Sequence, residues 1–283
     1  MDCYNITVEA RLDTISISAE KVLESLFSSS SRVIPPHGFE SRVKDENDSF
    51  HLEQIGDGDE DDCLSRMREY LPEYTFPSLI EFQDKCGAVK KKALEHPQIG
   101  PNAFNRCNLP LPIPHIPELA DPNQLGQVLE DLLEAVGRVC ENEFNNPLRK
   151  FSNYYKGVLI GETHIVPCVR HKEALIAVAN APQAGILLPN SLRGYSIDAD
   201  RAIISLFPDF VSLVGIEYVI AMIGYPYILA RNRDTPGLDL AALSGRYSDS
   251  SFFFRANDAW FTFIRTCGLT DAHDDYSGGL MFW

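Results

Sequence analysis

The sequence lacks any extended cluster of basic residues. It contains 25 Lys and Arg against 40 Asp and Glu, so its formal net charge is −15. The longest basic run is Lys90, Lys91 and Lys92, on a predicted helix face. Proteins that hold a nucleic-acid backbone need clustered Lys and Arg, because released counterions supply much of the affinity. The sequence therefore predicts no nucleic-acid partner.

Closely spaced cysteine pairs and a secretory signal pattern are also missing. The seven cysteines are scattered, and none forms a C-x-x-C pair, which indicates free thiols in a reducing compartment. Residues 1–13 have neither the basic start nor the apolar stretch of a signal peptide. These features predict a cytoplasmic protein, or one within a particle assembled inside the cell.

The common catalytic and nucleotide-binding motifs are absent. The sequence has no G-x-S-x-G elbow, no Walker loop, no G-x-G-x-x-G and no H-E-x-x-H. No cofactor is predicted, and the sequence carries none of these motifs by which common enzyme classes are identified.

One long apolar stretch, residues 210–230, contains a single charged residue, Glu217. Its 21 residues are long enough to cross a bilayer. However, Glu217 would lie near the middle of the span, where a carboxylate is costly, and Gly215, Gly224 and Pro226 interrupt the run. The stretch therefore predicts a buried core helix that ends near Gly224, with a membrane span as the weaker alternative.

The acidic residues are concentrated in segment 40–62, which has ten of them and two basic residues. Asp57, Asp59 and Asp61 resemble the start of an EF-hand loop. The sixth position is Asp62 rather than Gly, and the twelfth is Arg68 rather than Glu, so the calcium motif fails. We expect a solvated acidic loop and the acidic first turn of a helix that runs to about residue 71.

Apolar periodicity predicts the remaining elements. Helices are expected at 19–27, 76–95, 173–179 and 199–207, and a long helix follows the N-cap Asp121 and Pro122 as far as Cys140. Strands are expected at 4–18, 157–160, 163–166 and 186–188, and a hairpin is expected from 252–254 and 260–264.

Segment 97–122 contains seven prolines and includes LPLPIPHIP at 109–117. Because proline is poorly tolerated inside sheets and helices, we expect an extended, polyproline-like strap over the protein surface. A linker, or a ligand for an aromatic groove in which Pro114 and Pro117 form a P-x-x-P motif, is the alternative.

Together these patterns predict an α+β protein. An α-rich N-terminal region with a small β element, 1–96, contains the acidic loop 40–62. The proline-rich strap or linker, 97–122, follows, and an aromatic-rich α+β region, 123–283, opens with the long amphipathic helix.

Two sets of residues are candidate functional groups. The tail Leu280, Met281, Phe282 and Trp283 would form a large apolar patch in water, so we expect it to be buried in its own core or in a partner. His164, Cys168 and His171, with Glu162 upstream, are a weak candidate for a metal site, because residues on one strand would point to opposite faces.

The favoured hypothesis is a non-enzymatic interaction or assembly subunit of a multi-protein complex, such as a viral (phage) particle. Its expected partner is a protein or further copies of the chain. The alternatives are an enzyme of uncommon type with a site near Glu162, His164, Cys168 and His171, and an acidic inhibitor that mimics nucleic acid.

Overall fold

A computed structural model of the chain describes residues 25–44, 52–56, 58–144, 150–167, 169–230, 235–257, 260–266 and 268–283. The predicted strand at 4–18, most of the predicted helix at 19–27, and Cys168 lie outside the described residues. Residues 25–27 are described and are not helical; instead, Phe27 forms an isolated β-bridge with Val33.

The described residues form the α+β fold that the sequence predicts. The α-helices are α1 (Asp59–Tyr70), α2 (Leu79–Glu95), α3 (Leu125–Glu143), α4 (His171–Asn180), α5 (Ile197–Ile203), α6 (Ile216–Gly224) and α7 (Pro226–Leu229). The strands are β1 (Leu109–Ile113), β2 (Lys150–Asn153), β3 (His164–Ile165), β4 (Gln183–Arg193), β5 (Val211–Leu213), β6 (Gly237–Asp239), β7 (Leu243–Ser244), β8 (Ser251–Ala256), β9 (Trp260–Thr266) and β10 (Tyr276–Phe282).

Most strands join one mixed sheet with the order β1-β4-β10-β6-β8-β9-β2. β5 pairs with one part of β10, while β3 and β7 form a separate two-stranded sheet. β10 is antiparallel to β4 and parallel to β6. The last described strand of the chain therefore lies in the middle of the main sheet.

Local signals determine where the helices begin. Asp59 opens α1 with four acidic residues in its first turn, where negative charge meets the positive end of the helix dipole. Ser78 and Glu81 form a capping box at the start of α2. The side chain of Asp121 accepts a hydrogen bond from the Asn123 backbone N–H, and a short 3₁₀ turn leads into α3. The helix start at Asp59 is confirmed. The second helix begins at Leu79, three residues after the predicted start at 76, and Asp121 caps a 3₁₀ turn before α3 begins at Leu125.

The proline-rich segment differs from the prediction. It is extended, and its apolar residues are buried, but Leu109–Ile113 form the edge strand β1, which is antiparallel to β4. Pro110 and Pro112 are two residues apart and occupy an edge strand, the position where a strand tolerates a missing N–H. The prediction of a strap outside the sheet is therefore wrong.

Two further strand predictions differ from the structure. Residues 157–160 form turns rather than a strand, with Gly157 and Gly161 both at positive φ. Only His164–Ile165 of the predicted strand at 163–166 pair with another strand. The hairpin prediction is confirmed, since β8 and β9 are antiparallel over six residue pairs.

The core is made of two hydrophobic clusters, and each combines residues from before residue 97 with residues from after residue 122. The apolar stretch at 210–230 becomes β5, α6 and α7, and every residue of α6 is buried. Among the described residues, no helix has the length and apolar character needed to cross a membrane. The predicted core helix ending at Gly224 is confirmed.

Candidate functional site

A cleft of about 970 Å³ lies beside α4. We name it the α4 cleft. Its walls come from β3 and the residues after it, one face of α4, the start of β4, the turn before β5, and the end of the chain. The lining residues are Pro122, Asn123, His164, Ile165, Val166, Pro167, Arg170, Lys172, Glu173, Ala174, Ala177, Gln183, Asp209, Ser212 and Trp283.

Arg170 fixes one rim of the α4 cleft. It has a positive φ of 58°, and its guanidinium donates to the backbone oxygens of Phe207 and Pro208, both at 2.7 Å. It also lies 3.8 Å from the carboxylate of Asp209. On the far rim, the indole N–H of Trp283 donates to the hydroxyl of Ser212 at 2.9 Å. The rims are therefore held by bonds within the chain.

The residues proposed for a metal or catalytic site do not converge in the α4 cleft. His164 is exposed and lines the cleft, whereas His171 is fully buried and faces Glu217, with Nδ1 and Oε1 3.3 Å apart. Glu162 instead lies 3.6 Å from Arg246. Among the described residues, no group of three or more His, Cys, Asp or Glu is placed to hold a metal ion.

The His171–Glu217 pair lies in the protein core. Both side chains are almost completely inaccessible, and burial lowers the pKa of His171, against the opposing effect of the Glu217 charge. The backbone N–H of Gly215 donates to the second oxygen of Glu217 at 2.8 Å. The pair therefore joins α4 to α6 within the core.

The four tail residues are placed within the fold of their own chain. Leu280, Met281 and Phe282 belong to β10 and are completely buried, and Trp283 is partly buried beside the α4 cleft. The sequence left open whether the tail is buried in its own core or in a partner, and the structure shows it in its own core. These residues therefore leave no apolar tip for docking into a partner.

The P-x-x-P motif is not presented to a groove either. Pro114 is buried directly after β1, and Pro117 is exposed at the start of a 3₁₀ turn. Since a polyproline ligand must expose both prolines on one face, this pair does not form a docking motif.

Residues 154–162 form a surface that sequence reasoning missed. We name this segment the platform. Three of its large side chains point into solvent, with exposed fractions of 68% for Tyr154, 56% for Val158 and 52% for Ile160. The signal was present as glycines on both sides of an apolar triplet, which is typical of turns rather than of a strand.

The platform is held firmly against α3. The carboxylate of Glu130 accepts hydrogen bonds from the backbone N–H groups of Gly157 and Leu159 at 2.6 and 3.3 Å. Leu159 is 1% exposed, and its carbonyl packs so closely on Gly126 that a Cβ at that position would overlap it. The hydroxyl of Thr163 donates to the same carbonyl at 3.1 Å.

Tyr155 anchors the other side of the platform. Its ring centroid lies 6.3 Å from that of Phe252 in β8, and the guanidinium of Arg265 lies 5.3 Å above the ring. Its backbone N–H donates a hydrogen bond to the side-chain oxygen of Asn153 at 2.8 Å. The platform thus exposes apolar side chains on a backbone that is held in place by contacts within the chain.

A second exposed aromatic residue adjoins the platform. Glu162 at its end lies 3.6 Å from Arg246, and the guanidinium of Arg246 lies 5.7 Å from the ring centroid of Tyr247. Tyr247 is itself exposed. Tyrosine and arginine are the residue types that contribute most to protein interfaces, so this neighbourhood has the composition of an interaction surface.

Comparison of the chain with protein-family models, with curated proteins and with solved structures finds no match in any of the three.

Proposed function

We propose that the chain is a non-enzymatic interaction or assembly subunit that binds a protein partner, or further copies of itself, through the platform. The observation that carries this proposal is the exposure of Tyr154, Val158 and Ile160 on a segment fixed by Glu130. Large apolar groups in water are costly unless a partner covers them.

The rigidity of the platform matters for affinity. Binding costs free energy when loops and side chains must be ordered at an interface. The backbone of the platform is ordered by its bonds to α3 and by the burial of Leu159, so less of this cost remains to be met on binding. A preordered apolar surface favours a protein partner over a small ligand, which would need a concave site.

The described residues also favour a binding role over catalysis. The α4 cleft combines charged rims with an apolar lining, but its only histidine is the exposed His164, and the buried His171 is sealed from it. No observation favours the alternatives of an uncommon enzyme or an acidic mimic of nucleic acid, and both stay predictions.

The test compares two charge substitutions in the full-length chain. Val158→Glu places a carboxylate in the platform, and Ile80→Glu places one at the most exposed apolar residue of α2, which is 72% exposed and lies on a different element. We expect sedimentation velocity or affinity capture from extracts of the source cells to show an association that Val158→Glu weakens at least ten-fold.

Ile80→Glu should leave that association unchanged. The proposal fails if the wild-type chain is monomeric and captures no protein, or if both substitutions weaken the association equally. Circular dichroism of both variants establishes that each remains folded.

A further inference from the structure

Two carboxyl groups are buried where α5 packs against the middle of the main sheet. Asp200 of α5 is completely buried, and Asp239 of β6 is 4% exposed. Gly278 of β10 adjoins both of them: it is the strand partner of Asp239, and a Cβ at Gly278 would overlap Oδ2 of Asp200. We name Asp200 and Asp239 the acid pair.

The protein compensates little of the charge that Asp200 would carry if ionised. Neither carboxylate oxygen of Asp200 has a hydrogen-bond partner among the described residues. Arg201 is the neighbouring cation, but its Nε and one terminal nitrogen donate to the backbone oxygens of Ala241 and Leu243, both at 3.0 Å. A buried carboxylate without compensating bonds is costly, so each acid is favoured in its protonated form.

The other titratable groups around the acid pair act in the same direction or are engaged elsewhere. Asp275, before β10, adds negative charge near Asp239. Tyr218 of α6 and Tyr195 lie near enough to interact electrostatically with Asp200. The hydroxyl of Tyr218 donates to the backbone oxygen of Pro189, and that of Tyr195 donates to the backbone oxygen of Val33. Burial, with the neighbouring negative charge, raises the pKa of Asp239 to about 8 and that of Asp200 well above its ordinary range.

We propose that the acid pair is a proton-dependent latch, which keeps α5 docked on β10 while it holds its protons and favours release of α5 when they are lost. In the released state, water would solvate both carboxylates and restore their ordinary acidity. The docked state therefore binds more protons than the released state. Release becomes more favourable as pH rises from the ordinary carboxyl range towards the pH at which the docked pair ionises.

Hydrogen exchange of the full-length chain tests the latch. The quantity measured is the protection factor, the exchange rate relative to an unfolded reference at the same pH, for a peptide that covers α5. We expect this factor to fall between pH 6 and 8 by about ten-fold per pH unit for each proton that only the docked state holds. The protection of α2, which carries neither acid, should stay higher than that of α5 at every pH, because the latch releases α5 without unfolding the rest of the chain.

Three variants sharpen the test. Asp239→Asn and Asp200→Asn each remove one titrating group with little change of shape, so each should reduce the pH dependence, and the second serves if the first fails to fold. Asp198→Asn is the matched control, because Asp198 is exposed on the same helix. It should behave like the wild type.

Three results would overturn the latch: constant protection of α5 from pH 6 to 8, an undiminished fall in both acid-pair variants, or protection of α5 equal to that of α2 at every pH, which indicates global unfolding alone.

Discussion

Glu130, in the second turn of α3, accepts a hydrogen bond from the backbone N–H of Gly157 at 2.6 Å and thereby ties the platform to the longest helix of the described chain. The carboxylate is 7% exposed, and the same oxygen also accepts from Leu159. A single side chain thus satisfies two backbone donors in a segment that has no ladder partner of its own.

Replacing Glu130 by Leu leaves these two N–H groups without an acceptor. The N–H of Leu159 is buried, and an unsatisfied buried polar group costs about 1–3 kcal/mol, so we expect the free energy of unfolding to fall by about that amount. Urea denaturation measures it. Glu134→Leu is the matched control, one turn along α3, where an exposed ion pair with Lys156 at 3.2 Å is worth at most about 1 kcal/mol. Equal losses in the two variants would contradict the anchoring role of Glu130.

Gly126 is the point of closest approach between α3 and the platform. A Cβ there would overlap the carbonyl of Leu159, and backbone cannot move aside as a flexible side chain can. We expect Gly126→Ala to lower the free energy of unfolding by about 1–3 kcal/mol or more through overpacking. Gly87→Ala in α2 meets no atom within 4 Å and should instead stabilise the chain by up to about 1 kcal/mol.

Thermal denaturation followed by circular dichroism compares these two glycine variants. The two Gly→Ala substitutions should change the thermal stability in opposite directions. A Gly126→Ala variant as stable as the wild type would show that the platform does not pack tightly on α3.

His171 should make the fold sensitive to acid. Burial holds its pKa below the ordinary 6.5, so below that pH the unfolded chain binds a proton that the folded chain does not. The free energy of unfolding therefore falls as pH decreases from 7 to 5, by up to about 1.4 kcal/mol per pH unit from this group. Relative to the wild type, His171→Gln should become more stable as pH decreases from 7 to 5 in urea denaturation.

The acid pair acts in the opposite direction over the same interval, so the informative quantity is the difference between His171→Gln and the wild type at each pH. A difference that does not change between pH 5 and 7 would exclude His171 as the source of acid sensitivity.

Phe282 tests the burial of the tail. Its side chain is completely buried, and its ring centroid lies 5.7 Å from that of Phe104 and 6.2 Å from that of Phe210. Phe282→Ala should lower the free energy of unfolding by about 3–5 kcal/mol, measured by urea denaturation. Trp283→Ala, at the partly buried neighbour, should cost less. If the two losses are equal, the tail is not part of the core.

Removal of residues 280–283 would delete three of the seven residues of a central strand, so we expect it to abolish folding. The sequence-based hypothesis of a docking tail would instead predict weakened assembly with the fold intact. Analytical gel filtration and circular dichroism distinguish these outcomes.

Helix starts could be predicted because their causes are local. The acidic first turn of α1 and the Asp121 cap stabilise free N–H groups whatever the rest of the chain does. The capping box of Ser78 and Glu81 was not recognised, and the predicted start of α2 was therefore three residues too early. Strand pairing depends on partners far away in sequence. The prolines of β1 excluded a sheet interior but could not indicate that an edge strand beside β4 was available.

The candidate site was predicted less well than the fold, for a related reason. His164 and His171 are seven residues apart, and the turn at Arg170 sends one to the cleft surface and the other into the core against Glu217. The platform depends on a contact between Glu130 and Gly157, which no spacing rule connects. The acid pair likewise joins α5 to β6 through tertiary packing alone.

The central position of β10 has a consequence for the order of folding. β4 and β6 flank this strand, and they lie more than 35 residues before it in the sequence. During synthesis, the two sides of the main sheet cannot be joined until residues 276–282 have left the ribosome. Until then, the edges of β4 and β6 that pair with β10 lack their partner strand. Sheets closed by such distant pairings fold slowly and are vulnerable to aggregation in the interval, which makes chaperone dependence an expected property of this chain.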